Sequence, residues 1–249
     1  MNRSAVLVLM SLARPVVVLA GSADVPASED RLSESWWAER HDAILKSLHE
    51  HSDAELVLIG DSITQNYEKA NPPDESFQPT WNELYQPRKA VNLGYSGDTT
   101  SNVLWRLRHG ELSGLKPRVA LVLIGTNDTA KGGTAEQTKA GVDAIVAELE
   151  QQLPATHVLL IGLLPSDISA AKTQADRRVN QLLAASYAHD TRVTYIDVGR
   201  VFYKNGELDT SIFYDPRLPW HAKALHPDTT GQHMMAEAIE PTLKRLMRK

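Results

Sequence analysis

Five short apolar runs are spaced along the chain, each closed by glycine or aspartate and separated from the next by intervening segments, mostly of helical periodicity. They cover residues 55–59, 90–93, 119–124, 157–161 and 192–196, and end at Gly60, Gly94, Gly125, Gly162 and Asp197. A run that is apolar at nearly every position is a strand buried on both faces. Strands that alternate with helices require right-handed crossovers and hence a parallel sheet. Helical spacing recurs at about 34–50, 99–109, 133–152, 170–188 and 229–247. The pattern predicts an α/β chain folded as a three-layer α/β/α sandwich on five parallel strands. Residues 24–33, polar and carrying Pro26, read as a linker. Residues 67–79 (YEKANPPDESFQP) read as a surface loop inserted after the first strand–helix turn.

A chain of 249 residues is long enough for one well-buried domain, here expected over 34–249, and short for two. The net charge of −5 argues against a basic, phosphate-tracking surface and so against nucleic acid as a partner. The absence of cysteine excludes disulfides, thiolate metal sites and Cys nucleophiles. The nine histidines lack zinc-site spacing. Residues 1–23 read as an export signal: Arg3 is followed by apolar runs at 5–13 and 16–20, and then by the small residues Gly21-Ser22-Ala23. Arg14-Pro15 interrupts the run, so no stable membrane span is expected. The alternatives are a disordered start, leaving a cytoplasmic protein, and a retained anchor. Trp36-Trp37 reads as two aromatics packing the leading helix onto the core; a sugar-stacking platform is the other reading.

In an open α/β sheet, ligands bind beyond the carboxyl ends of the strands. Four features fall there or near the last helix. Ser62 in Gly60-Asp61-Ser62 follows the first strand, where a hydroxyl is exposed and the backbone N–H at a helix start can face an oxyanion; an Asp-Ser helix cap explains it equally. Asn92-Leu93-Gly94-Tyr95-Ser96-Gly97-Asp98 follows the second, with glycines that permit close backbone approach or a tight turn. Gly125-Thr126-Asn127-Asp128 follows the third; an Asn amide can donate to an oxyanion, and all three polar residues are also good caps. His226-Pro227 precedes the last helix and could take a proton from a nearby serine.

In order and placement these blocks resemble the SGNH/GDSL hydrolases, and most closely the catalytic subunits of platelet-activating-factor acetylhydrolase. The matching stretches are VLIGDSITQ (57–65), VNLGYSGDTTSNVLWRLRHGEL (91–112), LIGTND (123–128), TAEQ (134–137), IGLLP (161–165), RRVNQLL (177–183) and LHPDTTG (225–231). The resemblance implies a flavodoxin-like sandwich, no metal or organic cofactor, and a possible homodimer. It implies that Ser62 is the nucleophile and His226 the base. It also implies that Ser62 N–H, Gly97 N–H and the Asn127 side chain form the oxyanion hole.

One position departs. The family pattern Asp-x-x-His would place an acid at 223, where this chain has Lys223. A Lys accepts no hydrogen bond and disfavours charging of a nearby imidazole. Three readings stay open: a Ser–His dyad backed by a backbone carbonyl, a replacement acid at Asp215 or Asp228 with Asp215 preferred, or a domain that binds without cleaving. Trp220 and His221, in the rearranged segment before His226, could also line the site. The expected function is therefore a serine esterase for small acyl groups, acetyl above all, with acetylated carbohydrate as a candidate substrate. Its rivals are a catalytically impaired carbohydrate- or ester-binding module and an acyltransferase.

Overall fold

The structure, a computed structural model, describes residues 28–71, 75–214 and 223–248. The export signal expected over 1–23 and the candidates Asp215, Trp220 and His221 lie outside the described residues. The sheet consists of β1 (Leu56–Gly60), β2 (Ala90–Gly94), β3 (Val119–Leu123), β4 (His157–Ile161) and β5 (Val193–Ile196). All pairings are parallel and the spatial order is β2-β1-β3-β4-β5. The expected strands thus form, with ends shifted by a residue or less. The register aligns Gly60 with both Gly94 and Leu123, so β1, β2 and β3 finish level with one another.

Strand periodicity divides the core into two layers. Val57, Ile59, Val91, Leu93, Val122 and Leu160 face one side, and Leu56, Leu58, Leu121, Leu159 and Ile161 face the other. The first layer is covered by α1 (Ser35–Ser47), α4 (Thr100–Arg106), α6 (Ala135–Gln152) and α7 (Ala170–Tyr187). The second is covered chiefly by α8 (Thr229–Leu246), through Met235, Ile239, Leu243 and Leu246. Two short helices, α2 (Ser62–Gln65) and α5 (Thr126–Ala130), start at the carboxyl ends of β1 and β3. The chain leaves β1 toward β2 on one side and reaches β3 on the other. This switch in winding direction opens the crevice where ligands bind in such sheets.

Two stretches differ from expectation, and a third, at 203–208, had none. The loop at 67–79 is pinned at both ends, because Tyr67 and Phe77 are buried. Helical turns follow, beginning with α3 (Gln78–Thr80) and running on to Arg88. Aromatics hold this segment: the Tyr67 and Tyr85 rings lie 4.9 Å apart, and Trp81 and Tyr85 5.6 Å apart. Residues 28–33, expected as linker, are bound to the domain. Glu29 N–H donates to Ser101 O at 3.2 Å, and the Arg31 guanidinium pairs with Asp98 at 2.8 Å. A small hairpin of β6 (Tyr203–Lys204) and β7 (Glu207–Leu208) turns at Asn205-Gly206, both at positive φ (54° and 87°). Such an Asn-Gly pair is the usual turn for a two-residue hairpin.

Candidate active site

The nucleophile candidate is placed by a very tight strand–helix turn. A Cβ at Gly60 would come within 2.4 Å of Leu123 O and 2.2 Å of Thr64 Oγ1, so only glycine fits. Asp61 caps α2, its Oδ1 accepting from Ile63 N–H at 2.9 Å, and Ser62 is the first residue of that helix. Its Oγ lies 2.7 Å from His226 Nε2, although 164 residues separate the two in the chain. Both side chains are buried. That separation is within reach for direct proton transfer.

His226 is held through its backbone. Tyr214 N–H donates to His226 O at 2.8 Å, and Phe213 and Pro227 form an antiparallel bridge. On the other side, Asp167 N–H donates to Ala224 O at 3.0 Å while the Asp167 carboxylate accepts from Ala224 N–H. Lys223 points away, donating to Asp167 O at 3.1 Å from an exposed position. Asp228, one of the two candidate replacement acids, is occupied elsewhere. Its carboxylate caps α8 by accepting from Gly231 N–H at 2.7 Å, and burial pushes its pKa up.

The loop after β2 brings Gly97 to the same edge at φ +80°, a conformation that favours glycine. Ser96 N–H donates to Gln65 Oε1 at 2.7 Å, and Arg31 Nη1 donates to Ser96 O at 2.8 Å. Beneath the loop is a buried ionic cluster. Asp98 accepts from Trp37 Nε1, Arg31 Nη1 and Arg106 Nε, each at 2.8 Å. Arg106 also pairs with Glu111, which in turn accepts from Tyr95 Oη and contacts His41 Nδ1 at 3.1 Å. Burial alone would raise the Glu111 pKa; the Arg106 charge and the His41 and Tyr95 hydrogen bonds outweigh it and hold the group below its ordinary value.

Asn127 sits in the first turn of α5 and donates from Nδ2 to Asp98 O at 2.8 Å, which ties β3's loop to β2's. One N–H of the amide remains beyond that bond. Two clamps fix α5. On one side Asp128 accepts from Thr100 Oγ1 at 2.6 Å and from Thr100 N–H at 3.0 Å. On the other, Lys172 and Asp176 of α7 form a buried ion pair at 2.6 Å. Lys172 Nζ donates to Thr126 Oγ1 at 2.9 Å, and Thr129 Oγ1 donates to Asp176 at 2.6 Å. Neither the Ser62 nor the Gly97 N–H has an acceptor among the described residues. Ser62, Gly97 and Asn127, on the turns after β1, β2 and β3, and His226, on the segment before α8, thus come to one sheet edge.

The motifs assign no role to several residues here. Asp98, Arg106 and Glu111 are charged and would ordinarily be assigned to the surface. Lys172 and Asp176 did carry a signal: with Val179 and Leu183 they continue the buried stripe of α7 at helical spacing.

A family described as GDSL-like Lipase/Acylhydrolase matches residues 58–234, a span containing all four residues. The chain belongs to this family. It is a GDSL-type acylhydrolase, 31% identical over 228 residues to platelet-activating factor acetylhydrolase IB subunit alpha1 of Bos taurus, covering 91% of this chain and 90% of that one. It is 33% identical over 191 residues to the alpha2 subunit of Gallus gallus, covering 76% and 79%. Among solved structures, a carbohydrate esterase family 3 protein from Talaromyces cellulolyticus shares the fold at a TM-score of 0.59 and 17% identity, covering 78% of this chain and 97% of that one. Among the described residues, no helix is long and apolar enough to cross a membrane.

Proposed function

We propose that this acylhydrolase is a serine esterase acting on small acyl esters, acetyl above all, through Ser62 and His226. The observation that carries the reading is the buried 2.7 Å contact between Ser62 Oγ and His226 Nε2, set among donors that can stabilise an oxyanion. As Ser62 Oγ attacks the ester carbonyl, its proton passes to His226 Nε2. The tetrahedral oxyanion is stabilised by Ser62 N–H, Gly97 N–H and the second Asn127 amide proton. The C–O bond to the alcohol then breaks, and the alcohol leaves with the proton from His226. Water, deprotonated by His226, resolves the acyl-enzyme by the same route. An acetyl group is favoured by the likeness, over nine tenths of both chains, to a protein named as an acetylhydrolase.

With Lys223 turned to Asp167 and Asp228 capping α8, the imidazole is left with a backbone carbonyl or the Asp215 carboxylate as its support. The primary test is hydrolysis of p-nitrophenyl acetate by the wild type and by Ser62→Ala. The wild type should turn over and the variant should fall to the buffer rate. Equal, slow release by both would overturn the esterase reading and favour a binding module.

A further inference from the structure

We propose that the cavity beside Gly97 is the site for the alcohol half of the ester, and that it takes a hydroxylated ring, a sugar, rather than an alkyl chain. The inference deepens the esterase reading above and rests on it. The cavity measures about 560 Å³ and is lined by Trp36, Arg31, Gln65, Asn66, Ser96 and Gly97, among others. That volume is in the range of pockets that enclose whole small molecules. An acetyl group would fill a small part of it, so the part of the substrate left to occupy it is the alcohol.

The lining chooses between alcohols. Asn66 is only 6% exposed, and its side-chain amide makes no hydrogen bond among the described residues. Gln65 spends Oε1 on Ser96 N–H and keeps its amide donor without an acceptor. Both residues are tied to the nucleophile by one turn of α2, since Asn66 N–H donates to Ser62 O. Trp36, which also lines the cavity, is exposed, with the Arg31 guanidinium 5.1 Å from its ring centroid and its Nε1 bonded to Glu34 at 3.1 Å. A sugar offers C–H surface to an indole and hydroxyls to two amides. An alkyl chain would displace water from those amides and give nothing back. Each amide left unpaired in this way weakens binding by roughly 10- to 100-fold.

The test uses the full chain and three esters: a mono-acetylated methyl glycoside, hexyl acetate and p-nitrophenyl acetate. The wild type should prefer the glycoside to hexyl acetate by ~10-fold or more in kcat/KM. Asn66→Ala and Trp36→Ala should each erase most of that preference, with the loss on the glycoside appearing in KM. A wild type that prefers hexyl acetate, or variants that lose activity equally on both esters, would overturn the proposal. If none of the three esters shows Ser62-dependent hydrolysis, the esterase reading itself has failed. Titration of the methyl glycoside, followed by NMR, then decides the cavity alone. Saturable binding weakened in Asn66→Ala supports it, and no binding refutes it.

Discussion

Replacing Asp61 by Asn should stabilise the protein above neutral pH and do little below about pH 4. Burial raises the Asp61 carboxyl; the hydrogen bond from Ile63 N–H and the Lys172 charge oppose this, and the Asp98 and Asp128 carboxylates add to it, leaving its pKa pushed up to about 7 from 3.8. Its Oδ2 is buried without a hydrogen-bond partner. Because the folded-state pKa lies above the unfolded one, the native protein holds a proton between about pH 4 and 7 that the unfolded chain has lost. Stability is therefore highest below that window and falls as pH rises through it; above about 7 both states are ionised and the cost is constant. The full cost is about 4 kcal/mol, of which about 3 kcal/mol accrues between pH 5 and 8. Asn keeps the acceptor that caps α2 and cannot ionise. The melting temperature of Asp61→Asn relative to wild type should rise by roughly 6–12 °C more at pH 8 than at pH 5. Other titrating groups are common to both proteins and cancel in the difference. An advantage that is the same at both pH values would show that Asp61 is not a buried neutral acid.

Asn127→Ala should lower kcat on p-nitrophenyl acetate by about 10²–10³-fold with little change in KM, as loss of one oxyanion donor does; an unchanged kcat would remove Asn127 from the site. Lys172→Met leaves Asp176 buried without its partner and should cost about 3–5 kcal/mol in a denaturant melt. The double variant Lys172→Met, Asp176→Leu should recover much of that loss, and a double variant no better than the single would contradict the pairing. Asp215→Asn separates the two supports for His226: if the carboxylate backs the imidazole, kcat falls by up to about 10⁴-fold, and if a backbone carbonyl does, kcat stays within a few-fold of wild type.

The sheet was legible because each strand is a run of apolar residues closed by a backbone-permissive or capping residue, as 157–161 shows by matching β4 end to end. The four candidate site residues stand out in the sequence because each follows such a closer or precedes the last helix. Polarity hid much of the rest. The segment at 28–33 is held by an arginine and backbone hydrogen bonds, which composition cannot tell from a linker. The Pro-rich stretch after Glu68 concealed Phe77, Trp81 and Tyr85, whose spacing of four residues marks a helical aromatic face. The hairpin at 203–208 was announced by Asn205-Gly206, although strands of two residues carry too little alternation to be recognised. Trp36 and Trp37 look alike in sequence and part company in the fold: Trp37 is fully buried on Asp98, while Trp36 is 38% exposed at the cavity.

The pairing of Ser62 with His226 is tested most directly by a double-mutant cycle on kcat for p-nitrophenyl acetate. Ser62→Ala and His226→Ala should each reduce turnover by ~10⁴-fold or more, and the double variant should be no worse than either, since groups that act as one unit lose their effect together. Losses that multiply in the double variant, or substantial turnover surviving in Ser62→Ala, would contradict a shared proton transfer between them.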